Sequence, residues 1–475
     1  MQQNTKMHKL QTTNNFVVVM TMAIPIIIQG LVLILQTLVD KAFLGNINTN
    51  YLSAVGISQA PFIATADALM AICTGITIVV SQKNGANKRK EINESANASI
   101  AFNSLISWFL FILWFVFPEA IFTLLKVDAS LLQYCIDYVR ILSLYFIFYG
   151  VDVSLETTLL GMGKTKPIMY VGLLKVLLNI FLDWVMIFGK LGFPALYIKG
   201  AALATTISNV VGTIVLIIYV LISEELSANL KLKEILRFRW SKYREILQLG
   251  LPTGLEYFLW NASNLVLVRL LNQQDIISIA IFTVTFAIEL IVYMIFNGIA
   301  RASLTLVGHR IGANDKQGAK KLMSSVIRYN MVIVSIFLVI FIVLPKPILD
   351  IFTNDTSLID MAVFYLILRA ITMFPKSLNV VVGSGIRALG DVKWMLRTQI
   401  FGSVFVVLCS YFLMYFLQLG VIAIYISLFL DELLRATLNT VRFYKGYVFR
   451  STKREISLNK DRLVGWLLTS TLHNN

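Results

Sequence analysis

The sequence predicts an all-α integral membrane protein with about twelve transmembrane helices in two pseudo-symmetric six-helix lobes. Three observations carry that reading. The composition is too apolar for a soluble surface, long apolar runs recur along the chain, and the two halves repeat one another at a constant offset.

Of 475 residues, 57% are apolar and only 14% are charged. A soluble chain of this size would cover its surface with far more charge. The net charge of +15 could point to nucleic acid. Its Lys and Arg residues, however, sit in short segments between apolar runs and form no basic face, and no nucleic-acid-binding motif is present. Cys73, Cys135 and Cys409 lie singly inside apolar runs, and His8, His309 and His473 are scattered, so no metal-ligand spacing exists. The start, Met1 to Asn15, is polar, and the first apolar run is long enough to span a bilayer. No cleavable leader is expected; that run reads as helix one.

The candidate spans are 16–40, 53–79, 97–117, 132–159, 167–188 and 200–222, then 247–271, 277–305, 325–344, 358–383, 396–418 and 421–444. In lipid every backbone polar group must be satisfied internally, so only helices or closed barrels can cross. These runs are too long for barrel strands and lack a period of two, so helices are expected.

The loops orient the chain. One set holds Lys83, Lys88, Arg89 and Lys90, then Lys164 and Lys166, Lys231 to Arg244, Arg310 to Lys321, and Lys393 and Arg397. The alternate set holds little beyond Lys41, Lys126, Lys190, Lys199 and Lys346. The basic set is expected in the cytoplasm of a multi-pass protein of the plasma or inner membrane, with both termini inside. The predicted organisation is a first lobe over 1–222, a charged connector over 223–246, a second lobe over 247–445 and a polar tail over 446–475. Arg237, Phe238, Arg239 and Trp240 of the connector are expected to touch headgroups. The apolar patch Leu463–Leu468 in the tail is too short to span.

The repeat runs at an offset of 227 residues. Pro25 matches Pro252, Gly85-Ala86-Asn87 matches Gly312-Ala313-Asn314, and Asn103 matches Asn330. Pro118 matches Pro345, Asp128 matches Asp355, Tyr138 matches Tyr365 and Gly163 matches Gly390, all without a gap. An even number of spans per half makes the halves parallel. Transporters built this way hold substrate near the midplane and rock one half against the other.

Ionisable groups inside a bilayer are costly and mark function by default. Asp40 ends the first run. Asn179 and Asp183 are four apart on one helix face, and Gly200-Ala201-Ala202-Leu203-Ala204-Thr205 follows with small residues and a hydroxyl. Asp40, Asn179, Asp183 and Thr205 could ligate Na⁺, or the two carboxyls could share a proton. At the repeat offset Asp40 faces Leu267 and Asp183 faces Ser410, so the acids belong to one half only. Pro25 and Gly30 weaken the first helix, and bending is expected there. Lys175 lies on the face of Asn179 and Asp183, where it could be an internal counter-charge, although snorkelling to the interface is the simpler reading. In the second half Glu256 replaces Gln29 and could meet a cationic substrate or ion, or be a satisfied structural group. Tyr149, Tyr257 and Met294 could line an adaptable cavity.

With these residues in hand, the layout resembles the multidrug and toxic compound extrusion (MATE) family over about 16–445. The matching segments are Pro25, Asp40 to Gly45, Gly161 to Thr165, Asn179 to Asp183, Gly200 to Thr205, Gly308 to Asn314 and Arg387 to Asp391. The resemblance implies two lobes in a V and antiport of cationic, amphipathic small molecules against H⁺ or Na⁺. No other cofactor and a monomer in the lipid bilayer are expected. It implies ion coupling at Asp40, Asn179, Asp183 and Thr205. The seventh-helix coupling glutamate of some members falls here near Trp260, so coupling of that kind is not expected. A flippase of lipid-linked saccharides shares the plan but would need a basic cavity. A membrane enzyme is disfavoured by the lack of a nucleophile–base set.

Overall fold

The computed structural model describes residues 15–223, 232–353 and 355–445, and all regular structure among them is helical. In chain order the first lobe holds α1 Asn15–Gly45, α2 Thr49–Gly85, α3 Arg89–Val116, α4 Pro118–Leu124, α5 Ala129–Ser143, α6 Phe146–Gly161, α7 Thr165–Phe188 and α8 Tyr197–Ile222. A short α9 Leu232–Ile235 follows. The second lobe holds α10 Trp240–Leu271, α11 Ile276–Gly312, α12 Lys316–Val343, α13 Pro345–Asp350, α14 Thr356–Ala388, α15 Val392–Tyr415 and α16 Ile422–Tyr444.

Among the described residues, nine helices are long and apolar enough to cross a membrane by themselves. The run 132–159, read as one span, is two helices, α5 and α6, bent by 52° at residues 144–145. α10 and α16 are 32 and 23 residues long. At about 1.5 Å per residue each exceeds the roughly 30 Å hydrocarbon thickness. Their charges lower their mean hydropathy; Glu256 of α10 and Asp431, Glu432 and Arg435 of α16 are met inside the lobe. Counting these two helices and the bent pair, the spans reach the twelve expected.

The repeat is visible as local structure. Pro118 and Pro345 each open a short helix just after a long one ends, because proline fits the first turn, where no N–H bond is needed. Asp128 and Asp355 each cap the next helix, accepting from Ser130 N and from Ser357 N. Asn87 and Asn314 both adopt left-handed backbone, at φ 57° and 62°, and so do Gly163 and Gly390. Buried Asn103 donates to Ser154 Oγ at 2.9 Å, and buried Asn330 donates to Ser377 Oγ at 3.0 Å.

The lobes meet at the end that carries the basic loops. One apolar cluster there joins Val19, Ile26, Leu160 and Leu216 of the first lobe to Ile299, Val307, Met323 and Ile386 of the second. Glycines permit the contact. A Cβ on Gly85 would lie 2.0 Å from His309 O, one on Gly75 2.3 Å from Ile246 O, and one on Gly312 1.9 Å from Gln82 O. Polar links reinforce it: Lys83 Nζ to Glu245 Oε2 at 2.8 Å, Tyr243 Oη to Asn103 Oδ1 at 2.7 Å, and Thr305 Oγ1 to Leu160 O at 3.1 Å. Toward the opposite end the lobes bury their apolar residues separately, around Phe62 and Trp114 in the first and around Phe296, Phe341 and Tyr425 in the second. The molecule is therefore a V closed at its basic end.

In the connector Arg239 is held by acids, while Arg237, Phe238 and Trp240 are exposed. Arg239 is directed at Glu94 of α3 at 2.7 Å and at Glu234 at 2.7 Å, and Phe238 and Trp240 pack edge-on against Phe102. An acid within reach satisfies the guanidinium better than a headgroup. Residues 224–231, the polar start and the patch Leu463–Leu468 lie outside the described residues.

Candidate functional site

The site in the first lobe is assembled by α1, α7 and α8. α8 can approach α7 because position 200 is glycine; a Cβ there would lie 2.7 Å from Met186 C and O. The α7–α8 turn starts at Gly189, whose φ of 66° suits a residue without a Cβ. This places Thr205 against Asn179, one helical turn from Asp183.

Asp40 and Asp183 are 8% and 0% exposed. Their carboxyl groups lie within hydrogen-bonding reach of one another. The surroundings orient the Asn179 amide, an assignment made from the hydrogen-bond network. Its nitrogen faces Asp40 Oδ1 at 3.1 Å and Asp183 Oδ2 at 3.3 Å, and its oxygen accepts from Thr205 N and Oγ1, each at 3.3 Å. The Gln36 side chain lies 2.9 Å from the same amide nitrogen. Asp183 Oδ1 is buried without a hydrogen-bond partner, and no cationic side chain pairs with either acid among the described residues. All four residues singled out in the sequence are thus brought together.

Lys175 does not reach the interface. Its Nζ is 2.7 Å from Asp152 Oδ2, and Tyr145 Oη donates to the same oxygen at 2.5 Å. Lys175 is thereby an internal counter-charge, but for Asp152 and not for Asp183.

At the repeat positions in the second lobe, Leu267 packs in an apolar cluster and Ser410 is buried. The buried acids of this lobe are paired. Glu256 accepts from Arg387 Nε at 3.3 Å and from Arg387 Nη2, so it is a satisfied group with its charge met inside the protein. Glu289 meets Arg369 at 2.9 Å and Lys376 at 2.5 Å. Arg435 binds Asp431 at 2.6 Å, Glu432 at 3.1 Å and Gln399 Oε1 at 2.7 Å. A small cavity is lined by Arg369, Lys376, Asp431, Glu432 and Arg435, and Trp260 is on its wall.

Tyr149, Tyr257 and Met294 stand where the arms of the V diverge. Tyr149 Oη donates to Ala66 O at 3.0 Å, Tyr257 is 43% exposed, and Met294 packs on Gly30, where a Cβ would lie 3.2 Å from its Sδ. Pro25 is buried within α1, which runs on as one helix.

Several residues escaped the sequence reading. Gln36 lies one turn before Asp40, and buried Tyr138 takes Gln59 Nε2 at 3.0 Å beside the carboxyls. Asp152 and Asp67 sit within predicted spans, and each met the test applied to Asp40. Their charge in an apolar run was the available signal.

Two repeated lobes closed on each other at one end, with buried carboxyls between their helices, define a multi-pass membrane transporter. The MatE family pattern matches residues 25–185 and again 252–412, at the same offset as the internal repeat. The chain belongs to the MatE family, and it is an efflux transporter and not an enzyme. It is similar to the probable multidrug resistance protein NorM of Thermotoga maritima, with 27% identity over 447 residues covering 90% of this chain and 91% of that protein. The fold matches the crystal structure of MATE in complex with MaD3S at TM-score 0.85, with 19% identity over 94% of this chain and 98% of that one. It also matches an outward-facing conformation of a multidrug resistance MATE family transporter at TM-score 0.83, with 19% identity over 92% and 97%.

Proposed function

We propose that the chain is a multidrug antiporter of the cell membrane that expels organic cations in exchange for protons. With the basic loops and both termini in the cytoplasm, closure at the basic end makes the structure outward-facing, and the protein works as a monomer among membrane lipids.

The observation that carries the reading is the carboxyl pair at Asp40 and Asp183. Two carboxylates this close inside a protein cannot both stay charged without a compensating cation. An Na⁺ ion would need oxygen ligands on every side. The Asn179 amide instead turns its N–H groups toward both acids and gives its oxygen to Thr205. That arrangement suits a shared proton better than a metal ion. A proton arriving from outside neutralises the pair, changes how α1 packs on α7, and favours release of substrate and closure of the V. Proton and substrate act through one set of conformations, so their affinities are linked reciprocally. The bending expected at Pro25 and Gly30 supplies the moving part. A lipid-pyrophosphate flippase would need free basic groups, whereas Lys175, Arg387 and Arg369 are all held by acids.

The test is efflux of a fluorescent cation from proteoliposomes under separately imposed gradients. A pH gradient alone should drive it, and Asp40→Asn or Asp183→Asn should reduce it to the background of empty vesicles. Efflux that needs Na⁺ at clamped pH would remove the proton from the scheme.

A further inference from the structure

Asp67 occupies the middle of α2, yet it is exposed and has no hydrogen-bond or ion-pair partner among the described residues. A free carboxylate at that depth is too costly to leave facing lipid. Helix geometry shows where it points. Asp67, Ala71, Thr74, Ile78, Ser81 and Gly85 follow at spacings of four and three, so they lie along one line of α2. At the basic end that line packs on α11: a Cβ on Gly308 would lie 2.0 Å from Ser81 Oγ, and one on Gly85 2.0 Å from His309 O. Asp67 continues the line past the point where the two helices separate. It therefore faces the cleft between the lobes.

The residues around it come from both lobes. Neighbouring Ala66 O is held by Tyr149 Oη at 3.0 Å in the first lobe. Neighbouring Ala68 O is 3.9 Å from the Cβ position of Gly254 in α10, one turn from Tyr257. Stepping back equally along α2 and α11 from Ser81 and Gly308 brings Asp67 level with Met294. The other acids at this level are engaged: Glu256 by Arg387, and Glu156 by Gln29 at 3.5 Å and Arg301 at 3.7 Å.

We propose that Asp67 is the counter-charge for the positive end of a substrate, with the faces of Tyr149 and Tyr257 and the thioether of Met294 receiving its apolar body. A monovalent organic cation with aromatic groups fits this set: one carboxylate to neutralise it, two π faces to attract it, and a deformable sulfur to adapt to its shape. The site rests on the cation-efflux reading but is separate from the Asp40–Asp183 pair, so charge at the floor would hold the cargo while charge in the first lobe takes the proton.

The test measures equilibrium binding of labelled tetraphenylphosphonium to the full chain in nanodiscs. Asp67→Asn should raise Kd by about tenfold or more, while Asp67→Glu stays within about threefold of wild type. Asp40→Asn should still bind the cation although it no longer couples efflux to protons. If wild type binds and exports tetraphenylphosphonium and Asp67→Asn binds it equally well, the assignment of Asp67 is overturned while the efflux reading stands. If wild type neither binds nor exports it, the efflux reading fails and this site with it. Should Asp67→Asn not assemble, Asp67→Cys serves instead: a negatively charged thiol reagent should restore tetraphenylphosphonium binding and a neutral one should not. Binding that is the same after either reagent, relative to wild type treated alike to account for Cys73, Cys135 and Cys409, overturns the site.

Discussion

The two lobes share a repeat, a helix plan and matching caps, yet they treat buried charge in opposite ways. In the second lobe every buried acid discussed has a base: Glu256 with Arg387, Glu289 with Arg369 and Lys376, Asp431 and Glu432 with Arg435. In the first lobe Asp40 and Asp183 face one another, and the one lysine on their helix face is drawn off by Asp152. A charge already paired gives an incoming cation little to gain, whereas a pair of facing acids needs one. The shared repeat therefore supplies the scaffold, and the asymmetry supplies the proposed ion-coupling site.

That contrast can be broken experimentally. The largest effect should come from Asp183→Asn, which removes the orphaned, fully buried carboxyl. Proton-driven efflux should vanish while folding and surface delivery persist; efflux at the wild-type rate would mean that the first lobe carries no coupling. Next, Arg387→Met leaves Glu256 buried and unpaired, at a cost of about 3–5 kcal/mol. Its thermal midpoint in detergent should fall sharply, and adding Glu256→Leu should recover most of the loss. If Glu256 instead binds a transported ion, the double variant would be stable but would lose ion dependence. Gly85→Val drives a side chain into His309 O. Spin-label distances across the basic end should lengthen, with efflux slowed by about tenfold for a barrier near 1.4 kcal/mol higher. Unchanged distances would show that this contact does not hold the V closed.

The smallest effect sharpens the shared half of the comparison. Asp128 and Asp355 cap equivalent helices from exposed positions, so replacing either with Ala should lower the unfolding temperature only slightly. Hydrogen bonds from Ser130 hold the Asp128 carboxyl below the usual aspartate range. Its contribution is therefore present above pH of about 4 and lost as pH falls through the lowered folded value. Melting curves of wild type and Asp128→Ala should converge in acid.

Much of this was legible in the chain. The apolar runs and the offset of 227 carried the twelve-span plan, because lipid leaves a backbone few options and a repeat must build the same landmarks twice. Span limits were less legible: α2, α11 and α14 run several residues past their apolar segments, since polar turns outside the hydrocarbon continue a helix without raising hydropathy. The break at 144–145 left no mark, because an apolar segment can bend without changing composition.

By itself the sequence determined that acids lie inside the membrane and that Asp40 and Asp183 have no acid at the matching positions of the second half, since both follow from residue type and register. Only the tertiary structure decided which acids are free. Pairing depends on which helices meet: Gly200 and Gly212 bring α8 against α7, and the Lys175 side chain packs over Gly212 while its ammonium goes to Asp152 and not to Asp183. Whether a buried charge is spent or available is a property of its neighbours in space, and those neighbours are far away along the chain.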